Sequence, residues 1–172
     1  MKGQKEVLDM LGELLTAELT AHNLYFVQWQ MQENWGYKKL AAHTKEDAHL
    51  ELHHAEEVIQ RILYFDGSPD MNQIDKISVG DSCEAHLNEQ YEFECAHVEN
   101  LKGYIKLCID KKDFGTKELL DEILEESEEQ CDWLETQFQR IKDIGVQNYL
   151  AEHCMSEKGG IEPYFCGARF PR

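Results

Sequence analysis

Proline is scarce in this chain, with three residues in 172, so little interrupts a long helix. No run of about 18 apolar residues occurs, and a transmembrane helix is not expected. Met1 to Asp9 is already charged and amphipathic. It lacks the apolar stretch of a secretory signal, and a cytoplasmic location is expected. Positive charge is the minority: 17 Lys and Arg stand against 34 Asp and Glu, a net charge of −17. Such a surface repels nucleic acid and anionic lipid, so neither is expected as a partner. It attracts cations, or simply keeps the chain solvated. Six cysteines are present, yet none forms a C-x-x-C pair. Cys95, Cys108 and Cys131 fall inside helical patterns and read as buried or half-buried thiols. Cys154 and Cys166 lie in or beyond the last helix, and Cys83 near the start of the third.

What remains suits one domain of ordinary size: the chain is 42% hydrophobic, enough for a core, and 30% charged. Apolar residues recur at helical spacing in four long segments. The first is expected from about Lys5 to Asn34, ending near Gly36. The second runs from about Lys38 to Phe65 and stops at Asp66-Gly67-Ser68-Pro69. A long connection reaches Gly80. Asp81-Ser82-Cys83-Glu84 then has the look of a capping box opening the third helix, to about Asp110. Phe114-Gly115-Thr116 separates it from the fourth, about Lys117 to Asp143. A short fifth helix, about Val146 to Met155, follows Gly145. The expected organisation is one domain over residues 1–157 and an irregular tail over 158–172. Two short turns and one long crossover, between helices two and three, are the connectivity of a ferritin-like four-helix bundle. The predicted class is therefore all-α, with neither internal repeat nor low-complexity run.

Each long helix carries a core stripe that turns polar near its middle. Helix one reads Val7, Leu11, Leu14, Glu18, Tyr25, Trp29. Helix two reads Leu40, Asp47, Glu51, His54, Val58, Ile62, Phe65. Helix three reads Leu87, Tyr91, Glu94, Val98, Leu101, Ile105, Cys108. Helix four reads Leu120, Ile123, Ser127, Gln130, Leu134, Phe138, Ile141. A buried carboxylate costs several kcal/mol unless it is paired or coordinates a metal. Glu18, Glu51, His54 and Glu94 facing one another call for a cation between them. Oxygen-rich ligation with one imidazole suits iron or manganese better than zinc. The alternative is that these acids sit at the stripe edge and reach solvent. Glu51 and His54 form a Glu-x-x-His pair, whose spacing of three puts both on one face. The motif is unspecific by itself, since Glu46–His49 and Glu94–His97 also match. Its position on the stripe gives it meaning.

The chain resembles the bacterioferritins from Met1-Lys2-Gly3 to Gln147-Asn148-Tyr149-Leu150. Shared elements include Asn34-Trp35-Gly36, Arg61-Ile62-Leu63, Asn100-Leu101 and Asp132-Trp133-Leu134-Glu135-Thr136. The resemblance implies a 24-subunit cage that stores ferric mineral, a di-iron ferroxidase centre in each subunit, and haem between paired subunits. A ferredoxin-type reductant for iron release is a further partner the resemblance suggests. Four of six implied iron ligands match: Glu18, Glu51, His54 and Glu94. Tyr25, beside the centre in the family, matches too. The remaining pair, Glu and His in the family, fall at Ser127 and Gln130, with Trp133 fixing the register. Glu128 and Glu129 do not replace them, since one residue turns a helix by about 100°. Glu18, Glu51 and His54 are left to hold one iron. The second position keeps Glu94 and a share of Glu51. His97, one turn after Glu94, is either a replacement imidazole or a packed histidine at a helix boundary.

The haem-ligating methionine of the family falls at Leu52, which has no donor atom, so haem is not expected to bind this subunit in the family's way. His49 and His53 are nearby, as alternative ligands or as solvated side chains. His153 and Cys154 either gather into a metal ring at a fourfold channel or belong to an incidental tail. Three functions follow. The first is a cage subunit with an incomplete centre, mixed with a competent second subunit. The second is a homomeric ferroxidase rebuilt around His97, and the third a structural subunit with no metal role.

Overall fold

A computed structural model describes residues 2–154, and all its regular elements are helices. The helices are α1 (Lys5–Trp35), α2 (Lys38–Tyr64), α3 (Cys83–Lys111), α4 (Phe114–Ile144) and α5 (Val146–Glu152). The expected irregular tail, with Cys166, lies outside the described residues, as does Met155. No described helix is long and apolar enough to cross a membrane.

α1 packs chiefly on α2, and α3 on α4. Each pair is an antiparallel hairpin closed by a short turn. The α1–α2 turn depends on Gly36, whose φ of 92° lies in the left-handed region that glycine enters without Cβ strain. The two hairpins are joined by residues 65–82, a crossover that travels the length of the bundle. It leaves beside the N-terminus, where Gly3 N–H donates to Phe65 O at 3.2 Å. Midway, Asp75 N–H donates to Thr20 Oγ1 at 3.0 Å. At the far end Gly80 N–H donates to Glu89 Oε2 at 2.9 Å, and Gly80 O lies 2.9 Å from His86 Nε2. The bundle thus has the ferritin-like connectivity, with the short fifth helix laid across its end.

One helix start falls within the expected segment and another departs from it. α3 opens at Cys83 with Ser82 as its cap, accepting from Ala85 N–H at 3.2 Å. α4 begins three residues early. Asp113 caps it by accepting from Thr116 N–H (3.1 Å) and binds Arg61 Nη2 at 2.7 Å. Phe114-Gly115-Thr116 is therefore the first turn of a helix rather than a break. The first four N–H groups of a helix lack intrahelical acceptors anyway, so a capping aspartate offsets the low propensity of these residues. Gly115 is also where α4 meets Arg61: an added Cβ would lie 2.8 Å from its guanidinium. α5 ends at Glu152, where His153 Nδ1 lies 2.7 Å from Tyr149 O.

Among the described residues the core has two apolar clusters at the ends of the bundle, with a polar layer between them and a third, smaller cluster around Ala21, Leu24, Tyr25 and Ala48. One, around Leu11, Leu14, Val58, Ile62, Leu101 and Ile123, fills the crossover-start end. The other, around Leu40, Leu87, Leu134 and Tyr149, fills the α5 end. The polar mid-stripe residues fall in the gap.

Candidate metal centre

Glu18 from α1, Glu51 and His54 from α2, and Glu94 and His97 from α3 are all buried in that gap, Glu18 completely. The solvated alternative for these acids is thus not what the structure shows. Ligand atoms of Glu18, Glu51 and His54 lie within 4.8 Å of one another. His54 Nδ1 is 3.4 Å from Glu18 Oε2 and 3.5 Å from Glu51 Oε2. His97 is turned into the same space rather than onto a helix boundary: its Nε2 is 3.0 Å from Glu18 Oε1. None of these approaches has hydrogen-bond geometry. Both Glu18 oxygens, His54 Nδ1 and His97 Nε2 are buried polar atoms with no hydrogen-bond partner. Such orphans are rare in folded proteins. A convergent set of carboxylate oxygens and imidazole nitrogens is the donor set of a divalent transition metal. The residues fit a cation there.

Glu94 sits on the other side, its Oε1 accepting from the Tyr25 hydroxyl. Opposite it lies α4, whose Glu126, Ser127, Glu129 and Gln130 line the space, with Ser127 buried. Gln130 Nε2 donates to Asp47 Oδ2 at 3.0 Å. A cavity of about 330 Å³ remains, bounded by Asp47, Glu51, His54, Glu94, Ser127 and Gln130. His43 stacks on Trp133 beside it, ring centroids 3.6 Å apart. Glu128 points away and pairs with Lys102 at 3.7 Å, while Glu129 is exposed at the cavity rim.

One participant had no sequence expectation. Glu126 Oε2 accepts from His54 Nε2 at 2.6 Å. With a cation bound, that bond would keep a proton on Nε2 and leave Nδ1 to the metal beside Glu18 and Glu51, as a carboxylate does behind a metal-binding histidine. Glu126 lies off the core stripe and is half exposed, so stripe analysis passes over it. The signal available was chemical: a histidine that offers one nitrogen to a metal needs an acceptor for the other.

Electrostatics reflect the crowding. Burial opposes protonation of His54, but the carboxylates of Glu18 and Glu51 outweigh it and push its pKa up to about 11. His97 is raised in the same way: Glu18 prevails over burial. Burial works against ionisation of Glu18, yet His97 and His54 hold it well below the usual carboxylate range. Burial and the charge of Glu94 raise Glu51 far above that range and bring Asp47 to about 8. Burial lifts Glu94 to about 6 against the bond from Tyr25. The metal-free site thus carries protons in place of a cation.

The ferritin family model, a ferritin-like domain, matches residues 8–144. The chain is 40% identical over 160 residues to bacterioferritin BfrA of Mycobacterium tuberculosis H37Rv, covering 91% of this chain and 98% of that one. The chain belongs to the bacterioferritin family. It is also 37% identical over 151 residues to a bacterial ferritin of Synechocystis, with 87% and 97% coverage. A Brucella melitensis bacterioferritin shares 32% over 153 residues, with 87% and 92% coverage. Leu52 lies exposed on α2, with His49 edge-on to Trp29 and His53 near Glu57 on the same helix. Leu52 offers only hydrocarbon to any group that lies against it.

Proposed function

We propose that this protein is an iron-storage subunit with half a di-iron centre. Glu18, Glu51 and His54 take one ferrous ion as substrate, steadied by Glu126 behind His54. Glu94, with a share of Glu51, offers a weaker second position. The family supports assembly into a cage, and the subunit supplies framework and acidic mineral surface there. Fast oxidation and haem binding then fall to a ferroxidase- and haem-competent partner subunit, and a ferredoxin-type protein suits the reductive release of iron.

The observation that carries this reading is the asymmetry of the gap. Orphaned donors crowd the α1–α2 side. On the α4 side Gln130 is engaged with Asp47, Glu126 with His54 Nε2, Glu129 is exposed at the rim, and Ser127 offers a short side chain. Anaerobic ferrous titration of the isolated protein, followed by oxygen, tests it. Tight binding of about one ion per subunit and slow oxidation are expected. A rapid oxidation phase consuming about two ions per subunit contradicts it.

A second reading, a homomeric ferroxidase, is favoured by His97, whose unpartnered Nε2 lies against Glu18. In that reading His97 supplies the imidazole absent at Gln130. His97→Ala should then slow oxidation strongly, and an unchanged rate removes the reading.

A further inference from the structure

Cys95 on α3 and Cys131 on α4 face each other across the seam between those helices, with Sγ atoms 4.0 Å apart. Both are half-buried free thiols. They differ from the other described cysteines: Cys83 and Cys108 are buried in the two apolar clusters, and Cys154 is exposed. One turn along the same seam, the Tyr91 hydroxyl donates to Glu135 Oε1 at 2.7 Å. Tyr91 precedes Cys95 by four residues, and Glu135 follows Cys131 by four. On antiparallel helices these two pairs stack as neighbouring rungs, so the Tyr91–Glu135 bond holds the register that opposes the sulfurs.

We propose that Cys95 and Cys131 form a reversible disulfide, with a peroxide as oxidant. A disulfide needs an S–S separation of about 2.05 Å, so each sulfur has to move by roughly 1 Å, within reach of side-chain rotation. The chemistry balances with one peroxide per pair. One thiolate of the pair attacks one peroxide oxygen, the O–O bond breaks, and hydroxide leaves, giving a sulfenic acid on that cysteine. The other sulfur then attacks the sulfenic Sγ and the S–O bond breaks. The two thiol protons end on the two oxygens as two water molecules. Two thiols are oxidised by two electrons, and one hydrogen peroxide is reduced.

The two sulfurs are alike in placement, both half-buried and facing each other at 4.0 Å, so either one can attack first and the other resolve. Cys95 adjoins Glu94, and Cys131 adjoins Gln130. The bond would staple together the two helices that carry the weaker half of the metal centre. The proposal rests on the thiol pair alone and stands or falls independently of the iron reading.

The test uses the full-length assembled protein, reduced, freed of reductant, and treated with hydrogen peroxide at one equivalent per subunit. Thiols are then blocked with N-ethylmaleimide. The expected result is loss of two alkylation sites per subunit and a peptide joining Cys95 to Cys131 after glutamyl-protease digestion. Dithiothreitol should restore both sites. Cys131→Ser should lose the linked peptide and leave a sulfenic acid on Cys95, trapped by dimedone. Cys83→Ser and Cys154→Ser should link like the parent. Three results overturn the proposal: both thiols remaining alkylatable in the parent, a linkage involving other cysteines, or a linkage between subunits. The parent measurement decides even where a variant fails to assemble.

Discussion

At Gln130 the side-chain amide spends its N–H on Asp47, and at Ser127 a small hydroxyl stands where a long ligand would have to reach inward. Returning the missing donors is the sharpest local experiment. Ser127→Glu with Gln130→His places a carboxylate and an imidazole on the open side of a cavity of about 330 Å³. Ferrous oxidation by the isolated protein is predicted to accelerate by at least about tenfold, corresponding to ~1.4 kcal/mol in the barrier. Stopped-flow absorbance measures it, and an unchanged rate would show that α4 is not what limits the parent. Glu126 makes a second residue-scale prediction. Glu126→Ala removes the acceptor behind His54 and should weaken divalent-cation binding by about 10- to 100-fold. Because Glu126 is partly exposed, the melting temperature of the metal-free protein should hardly move. Calorimetric titration checks the first part and thermal unfolding the second. Glu18, Glu51, His54 and Glu94 were legible as a cluster because buried carboxylates on a core stripe are conspicuous. The inward turn of His97 was not, since spacing alone places a side chain near a boundary without settling which side it faces. Glu126 was hidden for a simpler reason: it lies outside the stripe.

Among the elements, α4 shows how far periodicity reads. Its body follows from the Leu120, Ile123, Leu134 stripe, but its start depends on a contact from another helix. Asp113 receives Thr116 N–H, the Thr116 hydroxyl and Arg61 Nη2, and Arg61 comes from the end of α2. No local pattern contains that partner, so Phe114-Gly115-Thr116 reads as a break. Asp113→Ala is predicted to destabilise the protein by about 1–2 kcal/mol, the scale of a lost helix cap. Denaturant unfolding at neutral pH checks it. The benefit of Asp113 also has a direction with pH. Its pKa is lowered in the fold: burial resists ionisation, but Thr116 and Arg61 prevail. The stabilisation is present above the ordinary value of 3.8 and is lost as the pH falls through the lower, folded value. The parent and Asp113→Ala should therefore converge in stability only in strong acid. The crossover was legible as a long link. Its anchoring at Thr20 and Glu89 was not, because those bonds join residues distant in sequence.

For the whole molecule, charge and assembly dominate. A chain of net charge −17 draws cations toward itself, and that attraction weakens as salt screens it. Binding at the half-site adds stability by mass action. A divalent ion at about 100 times its dissociation constant should contribute about 2.7 kcal/mol per subunit, raising the melting temperature by a few degrees in a chain of this size. Glu18→Gln should abolish that rise, and scanning calorimetry with and without manganese measures it. A rise of equal size in Glu18→Gln would place the ion elsewhere. The proposed reliance on a second subunit belongs to this scale as well. It predicts two chain types in cages purified from the native cell, and mass spectrometry of the purified cage reads it.

The central claim is that one metal position is built and the other is not. The most direct measurement is a crystal structure of the protein soaked in ferrous iron without oxygen, with anomalous scattering to locate the metal. The account predicts one well-occupied ion ligated by Glu18, Glu51 and His54, with weak or no scattering between Glu94 and Ser127. Two ions of equal occupancy, or none among these residues, would contradict it.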